Sequence, residues 1–216
     1  MSTVLIQSNI CRDKRLFVKR FLDVAAGLLA LLFLSPVIFA ISVLVKADSP
    51  GNIFFLQQRV GKNGKLFTII KFRTLFVEHF GLFTEQEEPH AYRITRIGKY
   101  LRRFKLDEIP QFVNVVLGSM SIVGPRPDVP INVEKYVPRQ HDRLLVKPGM
   151  TGITQVSGNT MLSWPERIML DIWYVKNRTL MMDIKIIGYT LVAILRGELR
   201  FADPFHVYSL LPDRKQ

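Results

Sequence analysis

Residues 24–45 read VAAGLLALLFLSPVIFAISVLV, a run of 22 residues that contains no charge. At about 1.5 Å per residue, a helix of this length is long enough to cross about 30 Å of hydrocarbon. The run is too long for a signal peptide, and no small-residue cleavage site precedes the polar segment KADSPG that follows it. The sequence therefore predicts a membrane helix that remains on the mature protein.

Two features favour a helix that enters the membrane and returns to the same side. Ser35-Pro36 lies in the middle of the run, where a proline removes one helical hydrogen bond and bends the helix, and a serine hydroxyl satisfies the freed carbonyl. Basic residues flank both ends of the run: Arg12, Lys14, Arg15, Lys19 and Arg20 before it, and Lys46, Arg59, Lys62, Lys65, Lys71 and Arg73 after it. The positive-inside rule makes both flanks cytoplasmic. A kinked helix that spans the membrane remains the alternative.

The remainder of the chain predicts one α/β domain that is mainly helical. Residues 51–75 contain two β-prone runs around GKNG, which predicts a β-hairpin. Helices are predicted from Thr95, from around Asp107 to Pro110 until Gly118, and over 164–177 and 182–196, several of them amphipathic and suited to a membrane interface. Two loops rich in glycine and proline, 123–130 and 147–160, lie between them. The predicted organisation is a membrane region, 1–48, followed by a globular domain, 49–216.

Charge and cysteine content narrow the possible partners and sites. The 216 residues carry a formal net charge of +12, which attracts polyanions such as anionic lipid, nucleic acid or phosphorylated substrates. The single cysteine, Cys11, excludes an intrachain disulfide and a zinc site built from cysteines. The four histidines, His79, His90, His141 and His206, have no metal-ligand spacing, so we interpret them as structural or surface residues. The segment TEQEEP at 84–89 is predicted to be an acidic loop.

The strongest chemical signal is the pair Asp107 and Glu108, which follows six cations in residues 93–105. Clustered cations favour a nearby anion such as a nucleotide diphosphate, and a divalent cation bound to that anion favours carboxylate ligands, which these two residues supply. A helix N-terminus stabilises the ionised carboxylate as a nucleophile or metal ligand. Arg126, between two prolines in GPRP, is predicted to be a rigid phosphate ligand. The alternative for the acid pair is a helix cap beside a solvated acid. The alternative for Arg126 is a surface turn.

Six ordered blocks resemble the monotopic polyprenyl-phosphate phosphoglycosyl transferases, the bacterial sugar transferases of glycan assembly. They are SP within the apolar run, KFRT, LDEIPQFVNVV, GSMSIVGPRP, PGMTGITQVSG and LDIWYVKN. The resemblance covers most of the chain and corresponds to the minimal catalytic core of that family. It implies a re-entrant helix kinked at Ser35-Pro36, with the catalytic domain on the cytoplasmic face of the bacterial inner membrane.

The resemblance also implies a reaction and a set of residues. Asp107 is expected to attack the sugar-bearing phosphate of a UDP-sugar and release UMP, and a polyprenyl phosphate, usually undecaprenyl phosphate, then accepts the phosphosugar. Mg²⁺ is the expected cofactor, with Asp107 and Glu108 as its ligands. The phosphate-binding residues of the family correspond to Lys71, Arg102 and Arg126, and Gln155 is a weaker candidate for nucleotide binding. A homo-oligomer is a further possibility.

The chain departs from the family pattern in places that bear on sugar and nucleotide contacts. These are His90-Ala91-Tyr92, Gly118-Ser119-Met120-Ser121 and Ser157-Gly158-Asn159. A competing hypothesis from another class is a non-catalytic, membrane-associated scaffold that uses its basic face to bind anionic lipid. It does not explain the position of the two acids, and no nucleic-acid partner is predicted.

Overall fold

The computed structural model describes residues 10–76, 94–196 and 205, and these residues are mainly helical. The helices in these ranges are α1 (Ile10–Asp48), α2 (Arg96–Arg103), α3 (Gln111–Leu117), α4 (Pro130–Val133), α5 (Ile153–Val156), α6 (Trp164–Asn177) and α7 (Leu180–Arg196). The strands are β1 (Phe54–Val60), β2 (Leu66–Phe72), β3 (Ser121–Val123) and β4 (Gly149–Thr151). The predicted class, mainly α with a small hairpin, is confirmed. The predicted loop 84–89 and His79, His90 and His206 lie outside the described residues.

The hairpin forms where the sequence predicts it. Strands β1 and β2 pair antiparallel, with Phe54 opposite Phe72 and Val60 opposite Leu66. The turn uses the GKNG motif, in which Asn63 has φ 56° and Gly64 has φ 78°. Asparagine and glycine are the residues that tolerate this left-handed region best, so the turn residues determine the register of the two strands.

Strand β4 and the last residue of β3 lie in segments that were predicted to be loops, and that prediction is wrong. The two strands form a short parallel pair in which Ser121 lies opposite Gly149 and Val123 opposite Thr151. Each strand has only three residues and adjoins glycine or proline, so neither shows a measurable period-two pattern. The pair brings the two glycine-rich loops together so closely that a Cβ on Gly149 would meet the backbone of Gly124.

Helix α1 continues through the proline in its interior. Pro36 has no N–H for the carbonyl of Leu32, and Ser35 Oγ donates a hydrogen bond of 2.7 Å to that oxygen instead. The expected role of the serine is thus confirmed, and the chain does not leave the helix at Ser35-Pro36. A bend at this point stays a prediction. The helix is the one among the described residues that is long and apolar enough to cross a membrane.

One stripe of α1 packs against the rest of the protein along most of its length. Its members are spaced three, four or seven residues apart and are Arg20, Asp23, Gly27, Leu34, Ile38, Ile41 and Val45. The other faces expose large apolar side chains: Phe17, Phe21, Leu32, Phe33 and Phe39. Such a continuous apolar surface is expected for a helix in contact with lipid.

Polar contacts fix both ends of α1 to the same body. Near its N-terminus, Lys19 Nζ lies 2.6 Å from Asp183 Oδ2 of α7, and Arg20 donates to the carbonyl of Val115 at 2.6 Å. Near its C-terminus, the buried Arg73 donates to the carbonyls of Ser49 and Pro50. The apolar run between these anchors therefore begins and ends beside the globular part.

The helices that surround the acid pair are close to those predicted. Thr95 Oγ1 accepts a hydrogen bond of 2.9 Å from Gly98 N and begins α2 as its N-cap. Helix α3 ends at Leu117, where Gly118 has φ 93°. Its start was predicted too early, because α3 begins at Gln111 and the acids occupy a separate 3₁₀ turn, Leu106–Glu108.

Candidate active site

The acid pair lies on the one-turn segment that links α2 to α3. Lys105 has φ 56°, which reverses the chain direction after α2, and its carbonyl accepts a hydrogen bond of 3.2 Å from Glu108 N. The apolar neighbours of the pair, Leu106 and Ile109, pack into the cluster formed by α1, α2 and the hairpin. The two acids are thereby held between two hydrophobic contacts on a tight turn.

Glu108 is the acid that two cations hold in its charged form. Its Oε1 accepts a hydrogen bond of 3.0 Å from Arg126 Nη2 and one of 3.4 Å from Lys71 Nζ. Burial opposes ionisation of Glu108, but the positive charges of Arg126 and Lys71 outweigh burial and lower its pKa to about 2. Glu108 is therefore an anion at any physiological pH.

Asp107 is in the opposite environment. It is 9% exposed, and burial raises its pKa, with a further contribution from the negative charge of Glu108. The cations Lys71, Arg102 and Lys105 oppose this increase only in part. Its Oδ1 is buried and has no hydrogen-bond partner among the described residues. An unpaired, desolvated carboxylate oxygen costs folding free energy, which is typical of a functional group rather than of a structural cap.

The predicted phosphate-binding residues converge on this turn from three parts of the chain. Lys71 is on β2, opposite Phe55 of β1, and Arg126 is in the loop after β3. Arg102 is on α2, where its Nε donates a hydrogen bond of 2.9 Å to Thr74 Oγ1, and its charge acts on Asp107. The fold thus brings together residues that are up to 55 positions apart in the sequence, from Lys71 to Arg126.

Gln155 is not part of this group of contacts. It lies on α5, where its Oε1 accepts a hydrogen bond of 2.9 Å from Thr154 Oγ1. Its hydrogen bonds among the described residues do not include either acid or the three cations. Of the histidines, His141 stacks edge-on against Tyr136 at 5.6 Å between ring centroids, which agrees with a structural role. A nucleotide-binding role for Gln155 stays a prediction.

Sequence reasoning did not assign one residue that belongs to this site. Lys105 lies on the turn itself and its charge acts on both acids, but only its left-handed backbone conformation places it there.

The two acids suit a magnesium ion that is shared with a substrate. Mg²⁺ prefers hard oxygen ligands and usually binds through one or two carboxylates together with phosphate oxygens and water. The unpaired Oδ1 of Asp107 and the ionised Glu108 are donors of this type. The described residues contain no group of three or more histidine, cysteine or acidic side chains placed to hold a metal. An ion held by these two carboxylates would take phosphate oxygens and water as its other ligands.

Comparison with known proteins gives an independent view of the same chain. A family model described as bacterial sugar transferase matches residues 14–197. An undecaprenyl-phosphate galactose phosphotransferase of Salmonella typhimurium is 37% identical over 208 residues, which cover 89% of this chain and 44% of the relative. A UDP-glucose:undecaprenyl-phosphate glucose-1-phosphate transferase of Xanthomonas campestris pv. campestris is 40% identical over 201 residues, 88% of this chain and 42% of the relative.

A third relative is similar in length to this chain. The exopolysaccharide production protein ExoY of Sinorhizobium fredii is 37% identical over 191 residues, which cover 82% of this chain and 84% of the relative. By contrast, the chain spans less than half the length of the Salmonella and Xanthomonas proteins. The shared region includes the acid pair and the cations that surround it, since the family match runs from residue 14 to 197.

Proposed function

The chain belongs to the bacterial sugar transferase family, and from this premise we propose that it transfers a phosphosugar from a UDP-sugar to a polyprenyl phosphate, with release of UMP. The names of two relatives support the acceptor, since both proteins act on undecaprenyl phosphate. The observation that carries the proposal is the buried, unpaired oxygen of Asp107 beside a Glu108 that Lys71 and Arg126 keep ionised. This reaction would be an early membrane step of glycan assembly.

In the first half-reaction, a carboxylate oxygen of Asp107 attacks the phosphorus that carries the sugar. A bond forms between this oxygen and phosphorus, and the bond from phosphorus to the bridging oxygen breaks, so that UMP leaves with the electron pair. Burial and the neighbouring Glu108 make Asp107 more basic than an ordinary aspartate, which favours nucleophilic attack. In the second half-reaction, a phosphate oxygen of the lipid attacks the same phosphorus and releases the Asp107 carboxylate.

The cations bind and orient phosphate in this scheme. Lys71 and Arg126 both contact Glu108 Oε1, so a substrate phosphate that arrives beside Glu108 meets two positive side chains that are already in position. Arg102 lies on the side of Asp107 and offsets negative charge there. When bound, Mg²⁺ would neutralise phosphate oxygens, with Asp107 and Glu108 as its protein ligands.

The aspartate is tested by trapping the covalent intermediate. Protein incubated with a panel of UDP-sugars without lipid acceptor and then quenched is expected to carry the phosphosugar on Asp107, as located by mass spectrometry. Asp107→Asn should form no adduct and release no UMP, whereas Asp142→Asn, a half-buried aspartate outside the site, should behave like the parent. An adduct on another residue, or normal UMP release by Asp107→Asn, would contradict the mechanism.

The placement in the bacterial cytoplasmic membrane is part of the same proposal. The two anchored ends of α1 support a helix that enters the lipid and returns, with the catalytic domain on the cytoplasmic side, where UDP-sugars are found. The non-catalytic scaffold is less well supported, because lipid binding alone gives no reason to bury Asp107 at a cost in stability. A homo-oligomer stays a prediction.

A further inference from the structure

We propose that Arg143 is a positioning residue that acts through Arg126: it holds the backbone of the Arg126 loop so that the guanidinium of Arg126 faces Glu108 and the substrate phosphate. The inference rests on the proposed function, because it assigns Arg126 to phosphate binding. Arg143 itself contacts neither acid in the described hydrogen bonds. Neither the family motifs nor the spacing of charges in the sequence indicates this role.

The loop around Arg126 has few backbone N–H groups with which to form hydrogen bonds. Pro125 and Pro127 have no N–H, so this segment is fixed chiefly through its carbonyl groups. All three carbonyls accept hydrogen bonds from other parts of the fold: Pro125 O from Gly149 N at 2.9 Å, Arg126 O from Arg143 Nη2 at 2.8 Å, and Pro127 O from Arg59 Nη1 at 3.1 Å. At the carbonyl of Arg126, the hydrogen-bond donor is therefore the side chain of the buried Arg143 instead of a backbone N–H.

Arg143 is itself rigidly held. It is 7% exposed, and its Nη2 donates a second hydrogen bond of 2.5 Å to Asp171 Oδ2 of α6. Its Nη1 donates to Tyr136 Oη at 2.5 Å, and Tyr136 donates in turn to Asp128 Oδ2 at 3.0 Å. A buried guanidinium with partners on α6 and beside α4 has one available orientation, and that orientation fixes the carbonyl of Arg126.

The backbone of Arg126 is fixed by hydrogen bonds, whereas its side chain is partly exposed and can bind phosphate. The side chain of Arg126 is 39% exposed and reaches Glu108, while its carbonyl is tied to the buried network. A long side chain on a loose loop would sample many positions, and small displacements of a charge-stabilising group lower the rate strongly. By fixing the backbone at Arg126, Arg143 thus limits the range of positions that the exposed side chain of Arg126 can adopt.

The test is a double-mutant cycle on the first half-reaction, with the trapped adduct of the parent protein as the reference for the proposed function itself. Arg143→Lys keeps a cation but loses the fork of hydrogen bonds. We expect the second-order rate constant for adduct formation to fall about 10-fold or more, mainly through the rate at saturating UDP-sugar and not through substrate affinity. In an Arg126→Lys background the same change should add less than about 2-fold. Arg167→Lys, where an arginine donates to the carbonyl of Leu162, is the matched control and should have no effect.

Tyr136→Phe provides a milder change in case Arg143→Lys does not fold. It removes the hydroxyl that bridges Arg143 and Asp128 and leaves the direct contact of 3.7 Å between Arg143 Nη1 and Asp128 Oδ2. It should lower the rate in the parent but not in the Arg126→Lys background. Hydrogen exchange at the amides of Gly124, Arg126 and Asp128 gives a readout that does not depend on activity and should become faster in Tyr136→Phe. Equal losses of rate in both backgrounds, or unchanged exchange in a folded Tyr136→Phe variant, would overturn the role of Arg143.

Discussion

Two adjacent carboxylates in this protein have opposite electrostatic environments. Cations bonded to Glu108 lower its pKa to about 2, whereas burial and the charge of Glu108 raise the pKa of Asp107. Separated pKa values in neighbouring acids are the pattern expected for the divided roles proposed above, with Glu108 as a fixed anion and Asp107 as the reactive group. The sequence predicts two acids at this point of the chain. It does not predict the difference between their pKa values, because that difference depends on Lys71 and Arg126, which lie on other elements.

Replacing Asp107 by Asn is expected to stabilise the protein while it abolishes turnover. The folded state raises the pKa of Asp107, so ionisation at neutral pH costs folding free energy, and asparagine removes this charge. The gain should be on the order of 1 kcal/mol, or about 2–4 °C in Tm. Thermal unfolding in metal-free detergent buffer measures it, with Asp142→Asn as the control. A lower Tm for Asp107→Asn would show that the carboxylate is stabilising.

Glu108→Gln should have the opposite effect, and its size should depend on pH. The ordinary pKa of this group is 4.5 and the folded protein lowers it to about 2, so its stabilising contribution is complete above pH 4.5 and is lost as the pH falls toward 2. We expect a loss of about 2 kcal/mol at pH 7. Denaturant unfolding between pH 7 and pH 3 should show the two proteins becoming more similar in stability. A gap that is constant with pH would contradict the ion-pair explanation.

At the scale of secondary-structure elements, prediction succeeded where a period repeats and failed where it does not. Helix α6 and the β1–β2 hairpin span enough residues to show a pattern, and their predicted and observed positions agree closely. Strands β3 and β4 are three residues each and exist because the two glycine-rich loops pack together. The start of α3 was predicted too early because the left-handed conformation of Lys105 cannot be read from a lysine.

The contact between the two loops gives an element-scale prediction with a built-in control. A Cβ on Gly149 would collide with the backbone of Gly124, whereas a Cβ on Gly188 of α7 meets nothing within 4 Å. Gly149→Ala should therefore destabilise the protein by ~3 kcal/mol or more. Gly188→Ala, in a helix interior, should stabilise it by ~0.5–1 kcal/mol. Equilibrium unfolding of both variants tests this, and equal effects would contradict close packing of β3 on β4.

On the scale of the whole molecule, the site is assembled from the hairpin, the turn between α2 and α3, and the loop after β3, and α1 packs beside that turn. Leu106 and Ile109 flank the acids and pack in the same cluster as Ile41 and Val45 of α1. The turn that bears the two acids and the apolar helix α1 therefore share one hydrophobic cluster. A sequence pattern identified both parts, but only the tertiary packing shows that the turn bearing Asp107 rests on the apolar helix.

This connection leads to a prediction about membrane topology. Lys19 and Arg20 contact α7 and α3 at one end of α1, and Arg73 donates to the carbonyl of Val45 at the other end, so the same globular body contacts both ends of the apolar run. Cys11, the single cysteine, precedes the run and should react with a membrane-impermeant maleimide only after the cytoplasmic side is made accessible. In a Cys11→Ser background, Lys62→Cys in the exposed hairpin turn should show the same sidedness.

Disrupting an anchor extends the same experiment. Lys19→Ala removes the 2.6 Å contact with Asp183 and should loosen the N-terminal end of α1 without moving it across the membrane, because Arg20 still binds the carbonyl of Val115. Labelling of Cys11 from the cytoplasmic side should therefore persist, while the Tm falls by a few degrees. If Cys11 reacts from the external side while Lys62→Cys reacts from the cytoplasm, α1 spans the bilayer and its N-terminal contacts with the domain do not form in the membrane.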